Sequence, residues 1–173
     1  MAGKALMRLP SVSIESMSTP REQVLAQLQA SVGREVRVSD WLDITQERVD
    51  AFADAIDDHQ WIHCDPVRAA KDSPYGGTIA HGYLTLALYT TLRGLMLDDH
   101  STLPGVRNVI NYGINKLRFP NAVRVGARMR ARVTLEAVEE VSGGLQVTEL
   151  YTAEVEGSSK PACVAEMIMR LYF

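Results

Sequence analysis

Cysteine is scarce in this chain: two residues in 173, Cys64 and Cys163, far apart and not part of a CxxC unit. That spacing indicates neither a disulfide framework nor a cysteine zinc knuckle, and the usage fits a reducing cytosol. Neither sign of charge dominates, since 18 Lys and Arg against 21 Asp and Glu leave a formal charge of -3. Such a balance gives no support for wholesale binding to nucleic acid or to an anionic membrane. No sustained apolar run follows Lys4 and Arg8, so no signal peptide is expected. The most apolar stretch, Ile79 to Met96, contains His81 and Arg93 and is short for a membrane span. There is also no GxGxxG after a first strand, no regular strand–helix alternation and no internal repeat, which argues against a dinucleotide-binding or solenoid fold.

What remains is a chain of a length that suits one domain with a real core. Residues 1–18 carry several serines and Pro10 without a clear period and read as a loose arm; residues 19–173 read as the domain. Thr19-Pro20-Arg21-Glu22 is a helix start, with Thr19 and Glu22 placed for a capping box. Val36 and Val38 suggest a strand. Thr45 caps a helix whose face is Val49, Phe52, Ala53 and Ile56, running to about Asp57 or Asp58. Asp58 to His63 reads as a turn or loop, and Pro66 opens a short helical piece. After the turn at Ser73–Gly77, Tyr83 to Met96 is apolar on nearly every side, which predicts a helix buried all round. Then come long extended segments. Val125, Ala127, Met129, Ala131, Val133 and Leu135 alternate with polar residues, a period of two with one wet face. Ser142-Gly143-Gly144 is a hairpin turn, Val147 to Val155 is strand-like, and Cys163, Ala165, Met167, Met169 and Leu171 alternate again. The order predicts an α+β domain, a strongly curved antiparallel sheet wrapped around one buried central helix.

The densest chemistry lies between Ala55 and Asp65, where three carboxylates, two histidines, a cysteine and a glutamine occur in AIDDHQWIHCD. If the loop turns back on itself, Asp58 and His63 reach one water molecule. An enoyl thioester needs little more, because its carbonyl makes C3 electrophilic. Asp58 then takes the proton from water and His63 supplies one to C2, as general base and general acid. Charge gathers on the thioester oxygen, which the free N–H of Gly82 at a helix start is suited to meet. Glycine at 82 would also let the thioester come close to the backbone. Gly76 and Gly77 shape the same mouth, Gln60 is placed to orient the pair, and Trp61 and Ile62 to anchor the loop.

These residues resemble the MaoC-like dehydratase family of R-specific enoyl-CoA hydratases, and most of all its nodulation protein N-like branch. The pattern is an Asp, a His five residues later and an Asp two further on: Asp58, His63 and Asp65. It continues in Tyr75-Gly76-Gly77-Thr78-Ile79-Ala80-His81-Gly82-Tyr83 and in Arg118-Phe119-Pro120 with Val123-Arg124-Val125-Gly126. The resemblance covers roughly residues 35–173. It implies a single hotdog domain, Asp58 and His63 as catalytic residues and the Gly82 amide as oxyanion donor. It also implies an acyl-CoA thioester substrate, an R-3-hydroxyacyl product and a homodimer. No metal and no cofactor beyond the CoA of the substrate are expected, since a water and a thioester carbonyl suffice, and the cysteine usage points to the cytoplasm. Two departures stand out. Members often have Thr-Gly before the catalytic Asp where this chain has Ile56-Asp57. Some carry a serine on the central helix to support that Asp, where this chain has Ala87.

Competing readings attach to several of these residues. His59, His63, Cys64 and His81 invite a zinc site, but His59 and His63 lie beyond the expected helix. Cys64 reads more simply as a small buried group than as a nucleophile. His81 reads as a lock on the loop before the central helix. The stripe Arg124, Arg128, Arg130 and Arg132 is a solvated strand face, or some of it, with Lys116 or Arg118, meets the phosphates of CoA. Asn115 and Arg118 are candidates for substrate contact. Trp61, Tyr83, Leu84 and Tyr112 are candidates for lining the acyl tunnel. Two other functions share the pattern: a hotdog acyl-CoA thioesterase, with water aimed at the carbonyl carbon, and a non-catalytic acyl-thioester-binding subunit.

Overall fold

The structure is a computed structural model that describes residues 18–94 and 103–173. Residues 1–17 of the expected arm, together with Leu95 and Met96, lie outside the described residues. The capping box forms as expected: the Thr19 hydroxyl accepts from the Glu22 N–H while the Glu22 carboxylate accepts from the Thr19 N–H, and α1 runs Pro20–Gln29. After β1 (Glu35–Val38) and the two-residue β2 (Leu42–Asp43), Thr45 caps α2 (Gln46–Ile56). The buried stripe of α2 is Val49 and Ala53. Two short helices, α3 (Trp61–Cys64) and α4 (Pro66–Asp72), precede α5 (Gly82–Ala87) and α6 (Tyr89–Arg93). The chain ends in β3 (Asn108–Arg118), β4 (Arg128–Val141), β5 (Gly144–Val155) and β6 (Cys163–Tyr172).

All strand pairs are antiparallel, in the order β1-β4-β5-β6-β3, with β2 also on β4. The alternation read from the sequence is the physical face of this sheet. Met129, Ala131, Val133 and Leu135 point into the core with Leu145, Val147, Tyr151, Ala153, Ala165, Met169 and Leu171. Leu84, Leu88, Tyr89 and Leu92 of the helix pair pack against them. Strand β4 starts later than its period suggests. Gly126 has φ +88, and residues 124–127 form a single bridge from Arg124 to Ile79 and a turn instead of a strand.

Two expectations change. The segment after Asp58 is not wholly loop, because Trp61–Cys64 closes a helical turn with Cys64 N–H bonded to the Gln60 carbonyl at 3.1 Å. The central helix is not buried all round. It is divided at Leu88, and Tyr83, Ala87 and Thr91, four residues apart, are exposed. Its apolar composition covers two surfaces, the sheet on one side and an open face on the other. Beneath α6 the sheet supplies one buried charge. Glu149 of β5, 1% exposed, accepts a forked pair of bonds from Arg93 at 2.7–3.0 Å and a third from the Tyr89 hydroxyl at 2.8 Å. Among the described residues, no helix is long and apolar enough to cross a membrane.

Candidate active site

Asp57 makes the site possible. It is the C-cap of α2 and sits in the left-handed region, with φ 56 and ψ 29. This is the position where helices commonly stop on glycine, and it swings the chain so that the exposed Asp57 leads into the half-buried Asp58. The departure from Thr-Gly is therefore a matter of backbone conformation; the Asp57 carboxyl stays in solvent. Gln60 holds Asp58 through its backbone N–H and its side-chain amide, both at 3.4 Å from the carboxylate. These bonds come first among the influences that keep the Asp58 carboxyl below its ordinary range, followed by the nearby rings of His81 and His63.

His63 projects from α3 and is buried. Its Nδ1 lies 2.6 Å from the Ile79 carbonyl, which puts the proton there and leaves Nε2 as an acceptor. Burial pushes its pKa down; the Ile79 bond and Asp58 oppose this, and His81 adds to it. His63 is therefore a neutral base near pH 7. Ligand atoms of Asp58, His63 and His81 all lie within 4.8 Å of one another. One water can bridge an Asp58 oxygen and a His63 nitrogen at that separation with ordinary bonds of about 2.8 Å.

The same trio is poorly built for a shared ion. The His63 and His81 rings are stacked, with centroids 3.7 Å apart and planes 27° from parallel. An imidazole binds metal in its own ring plane at about 2.0–2.1 Å, and two nearly parallel planes do not meet so close to both nitrogens. His59 is exposed and faces Asp54 at 3.6 Å, apart from the trio. The Cys64 thiol is pushed up by burial and by Asp50, which removes its nucleophilic form.

Gly82 begins α5, and among the described residues no acceptor takes its N–H. The protein itself also requires a small residue here. A methyl at Gly82 would lie 3.1 Å from the Phe119 ring, so Phe119 crowds this position from inside the fold. Tyr83 meets the same ring edge-on at 5.7 Å.

A cavity of about 420 Å³ opens along the exposed side of α5 and α6, lined by Phe52, Tyr83, Ala87, Tyr89, Tyr112 and Met167 among others. Phe52 joins it to the trio, with its ring 5.3 Å from that of His81. Of the four proposed tunnel residues, Tyr83 and Tyr112 line it. Leu84 is buried in the core, and Trp61 lies under the Arg68 guanidinium at 4.4 Å. The candidate Asn115 is exposed on β3 and pairs with Glu166 in the strand register, outside the cavity wall. Among the described residues, the Arg118 guanidinium bonds only its neighbour's carbonyl, at Leu117. Gly77 lies against the Arg124 guanidinium, which donates to the Gly76 carbonyl at 2.9 Å. The basic stripe is mostly neutralised: Arg128 pairs with Glu156, Arg130 with Glu154, Arg132 with Glu35 and Glu154, and Lys116 with Glu166.

Sequence reasoning missed Gln46 and Phe52. The Gln46 amide donates to the His63 carbonyl at 2.7 Å and accepts from the Thr78 hydroxyl at 2.6 Å, sewing the His63 turn to the strand-like strap before Gly82. Phe52 was visible only as part of a helix face.

Fold and site together define a class: a hotdog domain with an Asp–His pair at the head of its inner helix and an apolar cavity beside it. The chain belongs to the MaoC-like domain family, which it matches over residues 27–157. It is 54% identical over 147 residues to the 3-hydroxyacyl-thioester dehydratase Z of Mycobacterium tuberculosis, covering 84% of this chain and 94% of that one. It is 38% identical to the nodulation protein N of Rhizobium leguminosarum bv. viciae, over 88% of this chain and 93% of that protein. Among solved structures it resembles the (R)-hydratase from A. caviae involved in PHA biosynthesis, with a TM-score of 0.60 and 25% identity over 79% of this chain and 97% of that one.

Proposed function

We propose that this chain is a hydro-lyase that reversibly hydrates trans-2-enoyl-CoA to (R)-3-hydroxyacyl-CoA. The observation that carries the reading is the convergence of the Asp58 carboxylate and the His63 ring within reach of one water. The name of the mycobacterial relative supports a 3-hydroxyacyl thioester, and that of the A. caviae hydratase supports the R configuration.

The resting charges refine the roles read from the sequence. Asp58 is ionised and His63 neutral with its Nδ1 proton engaged by the Ile79 carbonyl, so neither offers the water side of the site a proton at the outset. Of the two, neutral imidazole is the stronger base. In hydration the water oxygen bonds to C3 while His63 Nε2 takes the water's proton, and the C2–C3 π electrons move toward the thioester oxygen. The imidazolium, stabilised by Asp58 and the Ile79 carbonyl, then returns that proton to C2. One water is consumed, and the pair ends in its starting state. Dehydration runs the same steps backward. The Gly82 N–H is the proposed donor to the thioester oxygen, a contribution of roughly 3–4 kcal/mol when such a donor is well aimed.

No further cofactor and no metal is needed, because water and the thioester carbonyl supply the chemistry. The apolar cavity beside Phe52 would take the acyl chain. Arg118 and Arg124, which make no carboxylate pair among the described residues, would face the CoA phosphates. The chain would work as a cytoplasmic homodimer, its partner covering the open face at Tyr83 and Ala87 and the apolar residues exposed on β3. The names of the relatives, a 3-hydroxyacyl-thioester dehydratase and an (R)-hydratase, favour addition across C2=C3 over thioester cleavage. The convergence of Asp58 and His63, and a Gly82 N–H without an acceptor among the described residues, disfavour a purely binding subunit.

The test is hydration of crotonyl-CoA and longer enoyl-CoAs, with the product resolved on a chiral column. Folded Asp58→Asn and His63→Ala are each expected to lose about 10²–10⁴-fold in rate. Wild-type turnover in either would remove that residue from the mechanism.

A further inference from the structure

His81 is 3% exposed and belongs to neither proton-transfer role. Its Nε2 lies 2.9 Å from the backbone carbonyl of Asp58, 23 residues earlier in the chain, and 3.9 Å from the Asp58 carboxylate. A carbonyl only accepts, so the geometry assigns the ring proton to Nε2. Nδ1 is buried without a partner among the described residues. A bare lone pair there is tolerated better than a second, unpaired N–H, so the Nε2–H tautomer suits both ends of the ring. One face of the ring carries His63, and the tilted ring of Phe52 lies 5.3 Å from its centroid. The His81 carbonyl receives the N–H groups of Leu84 and Thr85, which starts α5 immediately before Gly82.

We infer that His81 is a positioning residue that holds the Asp58 backbone, the His63 ring and the head of the Gly82 helix in one fixed arrangement. Three segments distant in sequence, the α2–α3 link, α3 and the strap before α5, meet on this one side chain. Without it, Asp58 would keep the two long bonds from Gln60 to its carboxylate and the 3.2 Å bond from its own N–H to the Ala53 carbonyl but lose the bond on its carbonyl, and His63 would keep its edge contact with Ile79 but lose its stacking partner. A misplacement of about 1 Å between reacting groups can cost about 100-fold in rate. The inference rests on the hydratase reading only for what the positioned groups go on to do.

Two variants separate the contacts. His81→Phe keeps a ring against His63 and loses the bond to Asp58. His81→Gln keeps a donor at about the reach of Nε2 and loses the stack. Steady-state hydration of crotonyl-CoA gives kcat and KM. The titration of the His63 ring, followed by NMR, gives a readout that needs no turnover. The titratable groups facing His63 are Asp58 from the α2–α3 link and His81 itself. In folded His81→Phe, kcat is expected to fall by about 10- to 100-fold with KM within about twofold. The His63 midpoint should rise, because a second imidazole no longer opposes its charge. His81→Gln should recover at least part of the lost kcat. Wild-type kcat and an unmoved His63 titration in both variants would overturn the inference, as would equal losses of kcat that merely follow equal losses of melting temperature. If the wild-type chain hydrates no enoyl-CoA, the hydratase reading fails separately. The His63 titration then decides the inference alone: a shift upholds it and an unmoved midpoint ends it.

Discussion

Phe119 rests on the α-carbon of Gly82, close enough that a methyl group there would lie 3.1 Å from its ring carbons. The two residues are 37 positions apart, one just beyond β3 and the other at the first turn of α5. The aromatic ring thereby holds the edge of the sheet against the helix head that carries the candidate oxyanion amide.

Gly82→Ala should be destabilised by about 1–3 kcal/mol through overpacking, and its hydration rate should fall as the helix head shifts. Phe119→Ala should relieve the crowding, so the double variant should lose less stability than the sum of the two single changes, by at least about 0.5 kcal/mol. Urea unfolding of the four proteins measures this. Strict additivity would mean that the two groups do not press on one another.

Activity should have an acid limb governed by His63. The ring acts in its neutral form and its pKa is depressed, so kcat/KM should fall only as pH drops through a midpoint below 6.5. Asp58, held below 3.8, stays ionised across that range and adds no limb of its own. Stability follows the same sign. Below pH 6.5 the unfolded chain binds a proton at His63 that the folded chain resists, so this contribution is complete above 6.5 and is lost as pH falls toward the folded midpoint. A pH–rate profile and denaturation at pH 5, 6 and 7.5 check both statements; an acid limb centred above 6.5 would contradict the first.

Much of this arrangement was legible in the sequence, and the pattern of success has a physical basis. Period two in Met129–Leu135 and Cys163–Leu171 marked the inner face of the sheet because each strand has one dry side. The Thr19 and Thr45 caps were legible because capping is local, spanning three residues. Asp58, His63 and Gly82 were named as candidates through spacing and resemblance, and the first two lie together in the structure. His81 was read as a lock, but the partners of contacts made across the fold were not legible. The bond from Gln46 to His63 spans 17 residues and that from His81 to Asp58 spans 23, and neither leaves a periodic trace. The open face of α5 was misread for a related reason. Apolar composition reports that a surface is to be covered and does not say by what.

Asp57→Gly should stabilise the protein without changing its rate. A side chain at φ 56 costs roughly 1–2 kcal/mol, and the added freedom of glycine in the unfolded chain returns roughly 0.5–1 kcal/mol of that. The expected gain is about 0.5–1 kcal/mol in thermal or urea unfolding. The position is exposed, so activity should be unchanged. A destabilised variant would show that the Asp57 side chain makes a contact that outweighs its backbone strain.

Glu149→Gln should be the most damaging of these substitutions. It leaves Arg93 and its two forked bonds without a counter-charge in a buried place, at a cost of about 3 kcal/mol. Replacing both partners, as Arg93→Met with Glu149→Met, should cost less than the single change, because no lone charge is then left behind. Equilibrium unfolding of the single and double variants decides the matter.

Strand β3 carries two irregularities against β6, one between Asn111 and Gly113 and one between Asn115 and Arg118, with Lys116 turned to φ 51. Each adds twist and puts the outer hydrogen-bonding groups out of step. An arbitrary extended peptide would find no evenly spaced template there, so the rim is guarded against indiscriminate stacking into fibrils even where Ile110, Tyr112 and Ile114 are bare.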